Sequence, residues 1–246
     1  MSDQVQALWT PSPERAAATR MAAFMQATGH ADYRSLWQWS VDQSEDFWCR
    51  FWDCAGVIGD RGQRVLEDGD RMPGARWFPD ACLNYAENVL HQRGDGDALV
   101  FWGESKVKAR LSHDQLRDAV ARFQQVLLAA GVQPGDRVAG LLPNLPETVI
   151  AYLATAGLGA IWSSASPDFG VQGVLDRFGQ IEPKVFIGVD GYWYNGKPVD
   201  CLAKNAEILA QLPSVQRALL VPYLGIGEAP AGFTPWPETL AAQAGG

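Results

Sequence analysis

Two short stretches carry residue types able to do chemistry. Gly191-Tyr192-Trp193-Tyr194-Asn195-Gly196-Lys197 has the spacing G-x-x-x-x-G-K with which backbone amides and a lysine cradle phosphate. Position 198 is proline, where that motif needs a Mg²⁺-binding hydroxyl, and three bulky aromatics fill the part whose amides would close on phosphate. The stretch reads instead as a turn that offers Lys197 as a point charge to one phosphate, against the plainer reading of a solvated surface lysine. Ser166-Pro167-Asp168-Phe169-Gly170 contains the metal-binding triplet Asp-Phe-Gly of kinases. No kinase lysine strand or catalytic loop accompanies it, so Pro167-Asp168 reads as a turn leading into a helix.

Other chemistry is excluded by spacing. His30, His91 and His113 lie far apart with no partner at metal-ligand distance in sequence. Cys49, Cys54, Cys82 and Cys201 form no C-x-x-C pair, which fits reduced, mostly buried thiols in a cytoplasmic protein. Gly157-Leu158-Gly159 follows a helix and precedes a strand, the reverse of a dinucleotide fingerprint, and a NAD-dependent dehydrogenase is disfavoured accordingly. No G-x-S-x-G elbow occurs. The net charge of −8 argues against nucleic-acid and anionic membrane partners. The N-terminus carries neither a basic region nor an apolar core of a signal peptide. The uncharged run Thr148–Pro167 is broken by glycines and serines and reads as a core helix followed by a buried strand.

The elements that must position the two stretches follow from periodicity. Ser12-Pro13-Glu14 starts a helix that Gly29 stops, and Asp42 with Glu45 suggests a second helix start. Behind it Phe47, Trp48, Phe51 and Trp52 form an aromatic stripe whose spacing means packing. Residues 56–76 read as a loop, and a short apolar helix follows through Leu90. A turn cluster at Gly94-Asp95-Gly96-Asp97 marks a boundary. Beyond it ALVFWG and KVKARLS make a hairpin, and Ser112 with Gln115 opens a capped helix. DRVAGLL, GAIWS, KVFIGV and RALLVP then alternate with helices, and the last 25 residues show no core pattern. The fold class is α/β: a helical, aromatic-rich N-terminal extension over residues 1–94, then a mostly parallel sheet flanked by helices over residues 95–246. Both chemistry-bearing stretches then lie at the carboxyl ends of parallel strands. Read from composition and spacing alone, such a domain is equally a non-catalytic binding or interaction module.

One resemblance reaches further. GVQPGDRVAGLLPNLPETVIAYLATAGLGAIWSSASPDFG, residues 131–170, resembles the adenylate-forming (acyl-CoA synthetase) superfamily. DFWCRFWDCAGV and WFPDACLNYAENVL look like the N-terminal extension of its acetyl-CoA synthetase branch. SPDFG, DRFGQIEPKVFIGVDGY and YNGK look most like its acetoacetate-activating branch. The resemblance implies a ligase that uses acetoacetate, ATP with Mg²⁺, and CoA, passing through an acyl adenylate. It also implies that this chain is an N-terminal portion lying before the phosphate-binding loop. Alone it would be inactive, binding no cofactor tightly and associating with itself through surface meant for the remainder of the same polypeptide. No catalytic or metal-binding residue is expected in it. By position, Pro167, Asp168, Phe169 and Gly170, together with Tyr194, Asn195, Gly196 and Lys197, correspond to elements that contact the nucleotide end of CoA. Lys197 keeps the second basic residue of the family's Arg-x-Gly-Arg element, and Tyr194 replaces the first.

Overall fold

The computed structural model describes residues 8–104 and 107–241. The chain forms two compact units that divide between Leu83 and Asn84. Turn composition places the sequence boundary at residue 94. The packing boundary comes earlier, because the helix Tyr85–Val89 packs within the second unit.

In the first unit, α1 (Pro13–Ala17) and α2 (Arg20–Thr28) are followed by α3 (Tyr33–Asp42) and α4 (Ser44–Ala55). Ser12 caps α1 and Gly29 closes α2 in the left-handed conformation, the two ends the sequence predicts, but the single helix expected between them is broken at Thr19, which caps α2. A helix does start where Asp42 and Glu45 suggest, but one residue on: Gln43 is the N-cap of α4 and no side chain caps it. The capping box is that of α3, Asp32 with Ser35, while Asp42 ends α3 with its carboxylate held by Gln38 Nε2 at 2.9 Å. Rings of Phe24, Trp39, Phe47 and Phe51 pack at 5.4–6.1 Å, several edge to face. Among the described residues of this unit only Phe24 and Leu36 are buried, however. Trp48 and Phe51 keep 42% and 44% exposure, so the stripe forms a shallow cluster rather than a core. Two-residue strands β1 (Leu66–Glu67) and β2 (Arg76–Trp77) pair antiparallel beside an Arg64–Asp80 ion pair, which holds the Asp80 carboxyl down at about 2.

The second unit begins with α5 (Tyr85–Val89) and the antiparallel hairpin β3 (Asp97–Gly103) and β4 (Val107–Ser112). Its remaining elements, in order, are α6 (His113–Ala129), β5 (Arg137–Leu141), α7 (Pro146–Gly157), β6 (Ile161–Ala165), α8 (Val171–Ile181) and β7 (Val185–Val189). They continue with β8 (Gly191–Tyr194), β9 (Lys197–Asp200), α9 (Leu202–Ala210), β10 (Arg217–Val221), β11 (Phe233–Pro235) and α10 (Trp236–Ala241). The predicted Ser112–Gln115 capping box starts α6 in both of its hydrogen bonds. Five parallel strands stand in the order β11-β10-β7-β5-β6. One core lies between one face and α6 and α7, around Phe123, Leu127 and Ile187; the other lies under α8 and α9, around Phe178, Phe186 and Ile208. β7 is buried along its whole length, so it reads as a continuous apolar run rather than an alternating one.

The last 25 residues do hold core structure, contrary to the sequence reading. Phe233–Pro235 adds a parallel edge strand to β10, and Trp236 stacks on Phe123 with ring centroids 4.2 Å apart. A three-residue strand is too short to show a period, and Pro235 is tolerated because the strand sits at an edge. No described helix is long and apolar enough to cross a membrane.

Candidate functional site

The strand order fixes where a ligand can sit. β5 is followed by a connection to β6 on one side, whereas β7 lies on its other side and leads on to β10. Connections leave β5 and β7 in opposite directions, and open α/β sheets bind ligands at such a switch point, outside the carboxyl ends of the strands. A cavity of about 440 Å³ occupies that position. Pro143, Asn144 and Leu145 after β5, Tyr192 and Trp193 after β7, Tyr223 after β10, and the end of the β3–β4 hairpin from Val100 to Glu104 line it.

Its floor is tied down by Asp190, the residue after β7, which is 2% exposed. Asp190 Oδ1 accepts from Leu224 N at 2.9 Å; Oδ2 accepts from Gly225 N at 2.7 Å and Ile226 N at 3.1 Å. One carboxylate thereby satisfies three amides of the loop after β10 and sets Tyr223 against the cavity. Burial pushes the Glu147 carboxyl up at the start of α7. Burial, then the charges of Glu104 and Glu147, push the Tyr223 phenol up. The cavity is therefore aromatic in lining and acidic at its margin. It is no place for a bare phosphate.

The eight candidate residues occupy the same end of the sheet. Pro167, Asp168, Phe169 and Gly170 form the loop between β6 and α8, with Pro167 buried and the next three exposed. Gly170 is the N-cap of α8. The Arg177 guanidinium lies 4.2 Å from the Phe169 ring centroid. Tyr194, Asn195, Gly196 and Lys197 form the turn that the sequence reading expects, and it is the tip of a hairpin, β8–β9, that the reading did not foresee. Asn195 and Gly196 adopt φ 50° and 76°, the left-handed pair that a two-residue hairpin turn demands. Tyr194 pairs with Lys197 across that turn, which uses the backbone groups a phosphate cradle would need. The phosphate-loop reading is thereby closed, and Lys197 is left exposed at the tip.

Hairpin and loop meet at the hairpin's root. Tyr192, at that root, lies near enough to Asp168 for each to act on the other's ionisation. The Ser166 hydroxyl donates to Asp168 Oδ2 at 3.0 Å, and Lys204 Nζ, from α9, donates to the carbonyl of Pro167. Tyr192, then the bond from Ser166, holds the Asp168 carboxyl below its ordinary value against a small opposing effect of burial, and the Lys204 charge adds to the lowering. Burial first, then Asp168, pushes the Tyr192 phenol up to about 12. The tip points elsewhere: Gly196 N donates to Glu104 Oε2 at 2.8 Å, in the β3–β4 turn. Asp190, Tyr192, Lys204, Glu104 and Tyr223 went unrecognised in the sequence. The Asn195-Gly196 dipeptide is the one signal that would have exposed the hairpin.

Residues 86–236 match the family described as "AMP-binding enzyme", and residues 33–89 match "Acetyl-coenzyme A synthetase N-terminus". The acetoacetyl-coenzyme A synthetase of Rhizobium meliloti is 50% identical over 240 residues, covering 95% of this chain and 37% of that protein. The malonamoyl-CoA synthetase of Penicillium aethiopicum is 35% identical over 228 residues, covering 87% of this chain and 31% of that protein. Among solved structures, the acetoacetyl-CoA synthetase from Streptomyces lividans superposes with a TM-score of 0.87 at 42% identity, over 97% of this chain and 38% of that one. The chain thus spans little more than a third of the length of these relatives.

Proposed function

This chain belongs to the AMP-binding enzyme family, and from that premise we propose that it is part of an ATP-dependent acid–thiol ligase acting on acetoacetate. The reaction joins acetoacetate to the α-phosphorus of ATP with loss of pyrophosphate. CoA thiolate then displaces AMP to give acetoacetyl-CoA. The observation that carries the reading is half-identity to an acetoacetyl-coenzyme A synthetase along nearly the whole chain, against roughly a third to the malonamoyl relative.

The chain's own residues limit which steps belong to it. Among the described residues no group of three His, Cys, Asp or Glu converges closely enough to hold a metal ion. The sequence contains no Ser/Thr/Gly-rich run ending in lysine, so no ATP or Mg²⁺ step is assigned to these residues, and the 246 residues alone release no pyrophosphate. What fits is one edge of a CoA groove. In this reading Pro167, Asp168, Phe169 and Gly170 contact the coenzyme from the loop after β6, and Tyr194, Asn195, Gly196 and Lys197 from the hairpin tip, with Lys197 offering a cation to one of its phosphates.

The test is steady-state kinetics on the full-length enzyme. Lys197→Ala raises the KM for CoA about threefold to tenfold, the worth of one exposed charge contact, with kcat kept. An unchanged KM removes Lys197 from the groove. Failure to form acetoacetyl-CoA, or a preference for malonamate over acetoacetate, removes the substrate assignment.

A further inference from the structure

Lys197 opens β9 directly after an exposed two-residue turn. A lysine on such a tip samples many positions, and the freedom it loses on meeting a phosphate weakens the contact. The fold supplies one restraint. A two-residue hairpin turn joins its first residue to its fourth, here Tyr194 to Lys197, and leaves the amide of Gly196 without a partner inside the turn. That amide donates to Glu104 Oε2 at 2.8 Å, across to the β3–β4 hairpin. Among the described residues this is the hydrogen bond that ties residues 194–197 to another element.

Glu104 holds an unusual place for a glutamate. Its φ is 50°, in the left-handed region that glycine and asparagine enter more readily. A glutamate there costs backbone energy, and from there its side chain reaches the neighbouring hairpin. The backbone behind it is fixed as well. A methyl group on Gly103 would overlap the Tyr223 hydroxyl, so the end of β3 lies directly against that residue. Tyr223 is in turn placed by the loop whose amides Asp190 holds. The same loop backs the root of the other hairpin, where a methyl group on Gly191 would come within 2.5 Å of Leu224 Cδ1. Both hairpins thus rest on one anchored loop, and Glu104 joins them again at their tips.

Resting on the CoA-groove reading, we infer that Glu104 is a positioning residue, whose carboxylate fixes the β8–β9 tip and so sets where Lys197 meets a phosphate of the coenzyme. It acts as an acceptor and not as a charge. An anion beside a phosphate site repels the ligand, so the charge by itself works against affinity, and the geometry of the bond is what favours it. A neutral acceptor of the same length therefore keeps the function. Glu104 also matters only while Lys197 is present.

The experiment compares Glu104→Gln, Glu104→Gly, Lys197→Ala and the double variant of Glu104→Gly with Lys197→Ala in the full-length enzyme. Three quantities are read: thioester formation across a range of CoA concentrations, acetoacetate-dependent exchange of pyrophosphate into ATP, which requires no CoA, and Tm. Glu104→Gly raises the KM for CoA about twofold to fivefold, the scale of one exposed hydrogen bond, with kcat and the exchange rate unchanged. Its Tm is equal or higher, because glycine relieves the left-handed backbone. Glu104→Gln, which keeps an acceptor oxygen, holds the KM at the wild-type value or below it. The double variant matches Lys197→Ala alone, because the bond acts through that lysine. An unchanged or lowered KM in Glu104→Gly beside a raised KM in Lys197→Ala overturns the positioning role and leaves the groove standing. Unchanged values in both overturn the groove itself. A rise in Glu104→Gln equal to that in Glu104→Gly, or a double variant worse than Lys197→Ala, also overturns the role. Should Glu104→Gly lose pyrophosphate exchange or Tm, Glu104→Asn decides: it suits the left-handed backbone but is one methylene shorter. It must raise the KM with exchange intact, or the role falls.

Discussion

Removing the Asp190 carboxylate should do more harm than removing any other single polar group at the switch point. Its two oxygens accept three backbone amides within 3.1 Å, and the residue is almost wholly buried. Hydrogen bonds to a charged group are worth about 1.5–3 kcal/mol each, so simple addition gives roughly 4.5–9 kcal/mol for Asp190→Ala. That sum is a ceiling. The loop that supplies the amides borders solvent, and once released it can swing out and hydrate them. A loss of about 3–5 kcal/mol is therefore expected, the range seen when a buried charge partnership is broken. Asp190→Asn separates the atoms. An amide offers one acceptor oxygen; placed on Gly225 and Ile226 it gives up only the Leu224 bond, and the cost falls to about 1.5–3 kcal/mol. Urea unfolding of the chain gives both values, and hydrogen exchange at residues 224–226 locates the damage. If both variants stay within about 1 kcal/mol of wild type and those amides remain protected, the three bonds do not hold the loop, and the placing of Tyr223 needs another cause.

Trp236→Ala removes the ring stacked on Phe123 and should cost about 3–5 kcal/mol with loss of near-ultraviolet circular dichroism; a change under about 1 kcal/mol would show that the C-terminal segment is not part of the core. Gly188→Ala places a methyl 2.7–2.9 Å from the Asn205 amide, and a penalty of about 1–3 kcal/mol in denaturant melts follows, eased by adding Asn205→Ala. Tyr192 and Asp168 also set a pH window. The Asp168 pKa is depressed, so its contribution is present above the ordinary carboxylate value and lost as pH falls through the lowered one. The Tyr192 pKa is raised to about 12, so its contribution is complete below the ordinary phenol value near 10 and is lost as pH climbs toward 12. The neighbouring Lys204, Cys201 and Tyr194 also act on this pair. Spectrophotometric titration should show a late phenolate absent from Tyr192→Phe; titration of all tyrosines near 10 would refute it.

What the sequence disclosed was local. Ser112 and Gln115 sit three apart and bond each other, and the strands at Arg137–Leu141 and Val185–Val189 are apolar runs long enough to recognise. Asp42 and Glu45 located the start of α4 to within a residue, but the N-cap is Gln43 without a side-chain bond, because Asp42 still belongs to the last turn of α3. The hairpin at Asn195-Gly196 was hidden by a stronger-looking phosphate pattern over the same residues. The cavity could not be read at all. Glu104, Asn144, Tyr192 and Tyr223 come from four connections, and only the crossing of β6 to β7 past β5 brings those connections together.

The sheet's two margins have a consequence of their own. Among the described residues β6 and β11 each pair on one side only, and β6 leaves Ile161 half uncovered, so a row of amides and carbonyls stands open along a partly greasy strand. Natural proteins guard such borders with lysine, bulges or a covering segment; β6, reading Ile-Trp-Ser-Ser-Ala, carries no charge and no proline. An uncovered β6 is thus a template on which any extended peptide of matching register can crystallise. Handling this stretch of polypeptide by itself at high concentration invites strand-by-strand growth into fibrils rather than discrete dimers.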